Sequence, residues 1–147
     1  MAESRAEAVW EGDLAHGSGR VGGDSGVFDG LQLSWRARTE GPGGGKTSPE
    51  ELLAAAHAAC FSMALSNGLA QNGTPPERLE VRAVCTFDKV GDGFAITTME
   101  LSVEGRVPGI DAAAFEEAAE QAKEGCPVSR ALDGNVEITM QPRLLES

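Results

Sequence analysis

The chain is predicted to fold as α+β, with mainly antiparallel sheet and two main helices, on three observations. Leu79, Val81, Ala83, Cys85 and Phe87 alternate with polar residues, and Met99, Leu101, Val103 and Val107 do the same after Gly91-Asp92-Gly93. That is period-2 patterning on either side of a turn, the mark of a long hairpin. Second, the stretch from Ser48 to Asn67 is a helix of a particular kind, apolar on every side. Third, helices stand between strand pairs rather than alternating with single strands, which excludes a doubly wound sheet. At 147 residues the whole chain, 1–147, is expected to be one domain.

Taken in order, Ala6 to Leu14 has strand character, and Gly17, Gly19, Gly22 and Gly23 read as turns between short strands. These glycines lack the strand–GxGxxG–helix context of a dinucleotide loop, so no cofactor is expected. Leu31, Leu33 and Trp35 alternate with polar residues and predict a half-buried strand, ended by Gly41-Pro42-Gly43-Gly44-Gly45. Ser48 is an N-cap, Pro49 suits the first helical position, and Glu51 completes a capping box. Asp111 caps a second, amphipathic helix from Ala112 to about Glu124. Gly125 ends it, Cys126-Pro127 opens a short third helix from Val128 to Leu132, and Val136, Ile138 and Met140 form a last strand. A central helix that is apolar all round needs cover on every side, and one sheet covers only one. Part of it is therefore expected to pack against a second copy of the chain, as a homodimer.

Twelve basic against 23 acidic residues give a formal net charge of −11. Nucleic acid and anionic membrane both require basic surface, so neither is an expected partner. The N-terminus is charged and lacks an apolar run, and the apolar stretch from Leu52 to Leu65 is interrupted by His57 and reads as too short to span a bilayer. Three cysteines suit a reducing compartment, so the expected location is the cytoplasm.

Chemistry gathers around Cys60 and Cys126. Cys126, at a helix N-terminus, faces unpaired amides that lower a thiol pKa; a small residue tolerated at a cap is the plainer account. With no CxxC present, a thioredoxin-type dithiol and a zinc ribbon are out. A distant pair still forms a redox couple if the fold brings the two together. A thiol near pKa 8.5 is only about 3% thiolate at pH 7, and one near 6 is about 90%. Burial in an alanine-rich helix raises the pKa, so a reactive Cys60 needs a cation beside it. The candidates are Arg20, Arg36, Arg38 and His57. His57, one turn before Cys60, would give a Cys–His acyl-transfer enzyme; the same His57-x-x-Cys60 is half a metal site with no second half, so no metal is expected. Glu50, dipole-stabilised at the helix N-terminus, is the natural carboxylate to hold an arginine; it lies about 15 Å along the axis from Cys60, so the arginine must bridge the gap or the Glu50 of a second chain must supply the contact. Cys85 belongs to the inward face of its strand and reads as core. A non-catalytic small-ligand binding module remains a further reading.

Ser48-Pro49-Glu50-Glu51-Leu52 through Ala56-His57-Ala58-Ala59-Cys60-Phe61-Ser62-Met63-Ala64-Leu65-Ser66 resembles the osmotically inducible protein C family. So do Val107-Pro108-Gly109-Ile110-Asp111 and Gly125-Cys126-Pro127-Val128-Ser129. The resemblance runs from about Trp10 to the final strand and favours this branch over the organic hydroperoxide resistance proteins. It implies an intertwined α+β homodimer and a thiol-dependent peroxidase acting on organic hydroperoxides in stress defence. It also implies attack by Cys60, resolution by Cys126 as a disulfide, a helix-start carboxylate at Glu50, and reduction by a dithiol, lipoyl or similar. The family's activating arginine matches Arg38 in Arg38-Thr39-Glu40-Gly41, with Arg20 as the reserve position of the sister branch.

Overall fold

In the computed structural model, which describes residues 1–146, the chain divides into two compact units, one from Met1 to Leu52 and one from Leu53 onward. The first holds a four-stranded sheet of order β1-β2-β3-β4: β1 Ala6–Glu11, β2 Ser18–Gly23, β3 Leu31–Leu33 and β4 Lys46–Thr47. β1, β2 and β3 pair antiparallel, and β3 pairs parallel with β4. The glycines expected to be turns lie largely inside β2. Trp10 stands opposite Gly19, and a Cβ there would come within 2.5 Å of the indole ring. A bare backbone lets the ring lie flat across the neighbouring strand.

The predicted strand through Trp35 stops at Leu33. Ser34 accepts a hydrogen bond from the Ala37 amide, and a six-residue helix, α1 Trp35–Glu40, follows. Gly41 ends it at φ 96°, a conformation that favours glycine. Side-chain capping thus overrides a short period-2 pattern, and it places Arg38 on a helix rather than on a strand or loop.

Helix α2, Pro49–Gln71, starts where the sequence reads it, with the Ser48 hydroxyl accepting from the Glu51 amide at 3.1 Å. The Glu51 carboxylate takes the Thr47 hydroxyl at 2.6 Å. By length and composition α2 is long and apolar enough to cross a membrane, which corrects the shorter reading above. Its residues His57, Phe61, Leu65 and Leu69, four apart, are nonetheless at most 1% exposed inside the protein, so it is a core helix. It is not buried all round in this chain: Ala55, Ala59, Met63 and Asn67 form an exposed stripe, with Met63 72% exposed.

The second unit carries the hairpin β5 Arg78–Val90 and β6 Gly93–Arg106, then α3 Ala112–Gly125, α4 Pro127–Leu132 and β7 Glu137–Leu144. The sheet order is β5-β6-β7, and β7 runs parallel to β6 because the α3–α4 crossover returns the chain. β7 continues past the expected end at Met140 through Pro142, which an edge strand tolerates. Met99, Leu101, Val103 and Val107 meet Phe61, Leu65 and Leu69 of α2 and Phe115, Ala118, Ala119 and Ala122 of α3 in one apolar core. Gly105 admits this packing, since a Cβ there would lie 2.5 Å from the Phe115 ring.

Candidate functional site

Cys60 and Cys126 come together. The Cys126 thiol donates to Cys60 across 2.9 Å, and both are free thiols. Cys126 is fully buried; Cys60 is half-buried, on the α2 turn after His57. Phe61 on α2 and Ala118, Ala119 and Ala122 on α3 share the core, which holds α2 beside the end of α3 where Cys126 sits. The Cys126 amide bonds Ala122, closing α3, while its carbonyl accepts from Arg130, opening α4. One residue is therefore both the C-cap of one helix and the N-cap of the next, which fixes its side chain.

The N-terminus of α4 serves Cys60 more than Cys126. Pro127 has no N–H, so Val128 supplies the first amide of the helix, and this amide acts to lower the Cys60 pKa. Cys126 makes no capping bond of its own. Burial pushes the Cys60 thiol above its ordinary range, and the hydrogen bond and proximity of Cys126 push the same way; the Val128 amide opposes them.

His57 is fully buried, and its Nε2 lies 2.7 Å from the Ser129 hydroxyl. Burial holds its pKa below the ordinary histidine value, so the ring is neutral near pH 7. Cys60 bonds the Cys126 thiol. His57 is thus engaged elsewhere, and the Cys–His pair expected of an acyl-transfer enzyme is not formed. Ser129, which carries this contact, was not singled out in the sequence, where nothing local links it to His57, 72 positions away.

In the first unit, Arg38 and Glu50 form an ion pair. Arg38 Nε donates to both Glu50 oxygens, at 3.0 and 3.3 Å, and the Glu50 residue is only 5% exposed. The other arginines have exposed partners. Arg36 pairs with Glu40 one helical turn on at 2.6 Å, and Arg20 on β2 meets Glu11 at 3.8 Å. Exposed pairs of this kind are worth little. Of the three, Arg38 is the one held by a buried carboxylate. Cys85 packs against the core from β5. Among the described residues no group of three or more His, Cys, Asp or Glu is placed to hold a metal ion.

Beside Cys60 a cleft of about 680 Å³ opens along α2 and α3, lined by Met63, Ala64, Asn67, Ala118 and Ala122 among others. Two close thiols, one of them partly accessible and facing an apolar cleft, make up the candidate site. Residues 41–141 match the family model described as OsmC-like protein, and the chain belongs to that family. It is 45% identical over 137 residues to the protein named peroxiredoxin OsmC of Escherichia coli (strain K12), covering 93% of this chain and 94% of that one. An organic hydroperoxide resistance protein of Xanthomonas axonopodis pv. citri (strain 306) is 34% identical over 110 residues, 74% of this chain and 75% of the relative. The crystal structure of the organic hydroperoxide resistance protein OhrB of Bacillus subtilis superposes with TM-score 0.73 at 28% identity, covering 95% of this chain and 98% of that one.

Proposed function

We propose that the chain is a thiol-dependent peroxidase that reduces organic hydroperoxides to alcohols, in cytoplasmic defence against oxidative and osmotic stress. The observation that carries this reading is the 2.9 Å approach of Cys60 and Cys126 at the mouth of an apolar cleft. The relatives named peroxiredoxin OsmC and organic hydroperoxide resistance protein point the same way.

The Cys60 thiolate attacks the terminal oxygen of the hydroperoxide. The O–O bond breaks, the alkoxide leaves and takes a proton as the alcohol, and Cys60 becomes a sulfenic acid. The Cys126 sulfur then attacks the Cys60 sulfur and water leaves, giving a disulfide. A dithiol reductant, lipoyl or similar, reopens it. Arg38 is the activating cation, oriented by Glu50; a guanidinium stabilises both the thiolate and the departing alkoxide. Arg20 is the reserve for this role.

On this reading the two units work as one OsmC-like domain, in keeping with a family match that spans residues 41–141 and a helix that crosses from one unit to the other. The working form is an intertwined homodimer. The exposed stripe around Met63 supports this, as does a first unit with almost no buried apolar core of its own. A particle of monomer mass at micromolar concentration would count against the dimer.

The test of the reaction is the intact mass of the reduced protein before and after one equivalent of cumene hydroperoxide, with peptide mapping. A loss of two hydrogens mapping to a Cys60–Cys126 bridge is expected. An unchanged mass overturns the peroxidase reading, and an oxygen adduct stable on Cys60 removes Cys126 as the resolving thiol.

A further inference from the structure

The two thiols are carried on separate helices that share the apolar core, and beside the sulfurs a buried polar contact joins those helices. His57 lies three residues before Cys60 on α2, and Ser129 lies three residues after Cys126 on α4. The Nε2–Oγ distance is 2.7 Å, and His57 and Ser129 are 0% and 4% exposed. α4 is only six residues long and is tied to α3 through Cys126 itself. Inside an apolar core such a contact has no water to replace it, so it has one partner or none. The remaining imidazole nitrogen, Nδ1, is buried without a hydrogen-bond partner.

We propose that His57 and Ser129 are positioning residues for the second chemical step: their hydrogen bond clamps α4 against α2 so that Cys126 meets the Cys60 sulfenic acid before a second hydroperoxide does. The proposal rests on the peroxidase reading above. The step being guarded is Cys60–SOH + Cys126–SH → Cys60–S–S–Cys126 + H2O. The competing step is attack by the sulfenate on another hydroperoxide, which gives the sulfinic acid and a second alcohol and is not reversed by a dithiol. Closing a disulfide requires the sulfurs to move from 2.9 Å to bonding distance, about 2.05 Å. Loss of about 1 Å of registration costs on the order of a hundredfold in a positioned reaction.

The experiment treats wild-type, Ser129→Ala, His57→Phe and Ser129→Thr proteins with rising cumene hydroperoxide. Mass spectrometry then reads the ratio of Cys60–Cys126 disulfide to Cys60 sulfinic acid. In Ser129→Ala the ratio is expected to fall at least about tenfold at equal peroxide. His57→Phe, which keeps a ring and removes both nitrogens, is expected to do the same, and Ser129→Thr, which keeps the hydroxyl, to restore the wild-type ratio. A role confined to stability would lower the melting temperature without moving this ratio. A folded Ser129→Ala or His57→Phe with the wild-type ratio overturns the clamp while leaving the peroxidase intact. A wild-type protein that forms no bridge at all overturns both.

Discussion

The two units differ in what they bury. From Leu53 onward the chain builds a core of Phe61, Leu65, Leu69, Met99, Leu101, Val103 and Phe115 among others. Among the described residues of the first unit, Ala37 is the one apolar side chain that is fully buried, and the rest of its buried set is polar: Thr47, Ser48 and Glu50. Val9, Trp10, Leu14 and Val27 lie exposed on or beside its sheet. The chemistry divides along the same line. The core-rich unit holds the two thiols, and burial raises the pKa of Cys60. The core-poor unit holds the buried ion pair. On the proposed reading, activity depends on assembly, because the charged part is stable only once its sheet is covered.

The most severe break is at the thiols. Cys60→Ser is expected to lower hydroperoxide turnover by about a thousandfold or more, with the fold unchanged by circular dichroism, since the hydroxyl is not ionised at neutral pH. Next comes the charge. Arg38→Ala is expected to slow peroxide consumption at pH 7 by roughly 30-fold, the ratio of thiolate fractions between a lowered and an ordinary thiol. Arg20→Ala should cost less than about twofold, since its Glu11 partner is exposed. The reverse ranking would transfer the role to Arg20.

Smaller effects sharpen the contrast in stability. Phe61→Ala should destabilise the protein by about 3–5 kcal/mol in urea unfolding, the cost of a cavity in a packed core. Trp10→Ala should cost under about 1 kcal/mol in a protein kept monomeric, and distinctly more in the dimer. Least of all is a pH effect from His57. Its folded pKa is depressed by burial, so the unfolded state binds the proton more readily. The associated stability is fully present above the ordinary value near 6.5 and is lost as pH falls below it toward the folded pKa. Denaturant midpoints should therefore decline from pH 7 to pH 5, and less so in His57→Phe.

Much of this was legible in the residues. The hairpin alternation, the Ser48 cap and the Asp111 cap each state their structure locally, and each appears where it was read. That Glu50 would hold an arginine followed from its place at a helix start, whereas the choice of Arg38 over Arg20 and Arg36 came from the family resemblance. What escaped was non-local or depended on small side chains. The helix α1 was hidden under a three-residue alternation. The direction of β7 depends on the crossover rather than on its own pattern. The all-apolar look of α2 came mostly from alanine, which a helix exposes at little cost, so a buried stripe and an open stripe carry nearly the same letters. The His57–Ser129 contact spans 72 positions, and no local signal joins its two ends.

On the proposed reading, a Cys60 thiol raised by burial becomes reactive through the Arg38 guanidinium. The direct measurement is the ionisation of Cys60, followed by thiolate absorbance from pH 4 to 10 in a Cys126→Ser background, with and without Arg38→Ala. A Cys60 pKa well below the ordinary thiol range that rises by a unit or more on removing Arg38 is the predicted result. A Cys60 that titrates at or above the ordinary range in both proteins would contradict the account.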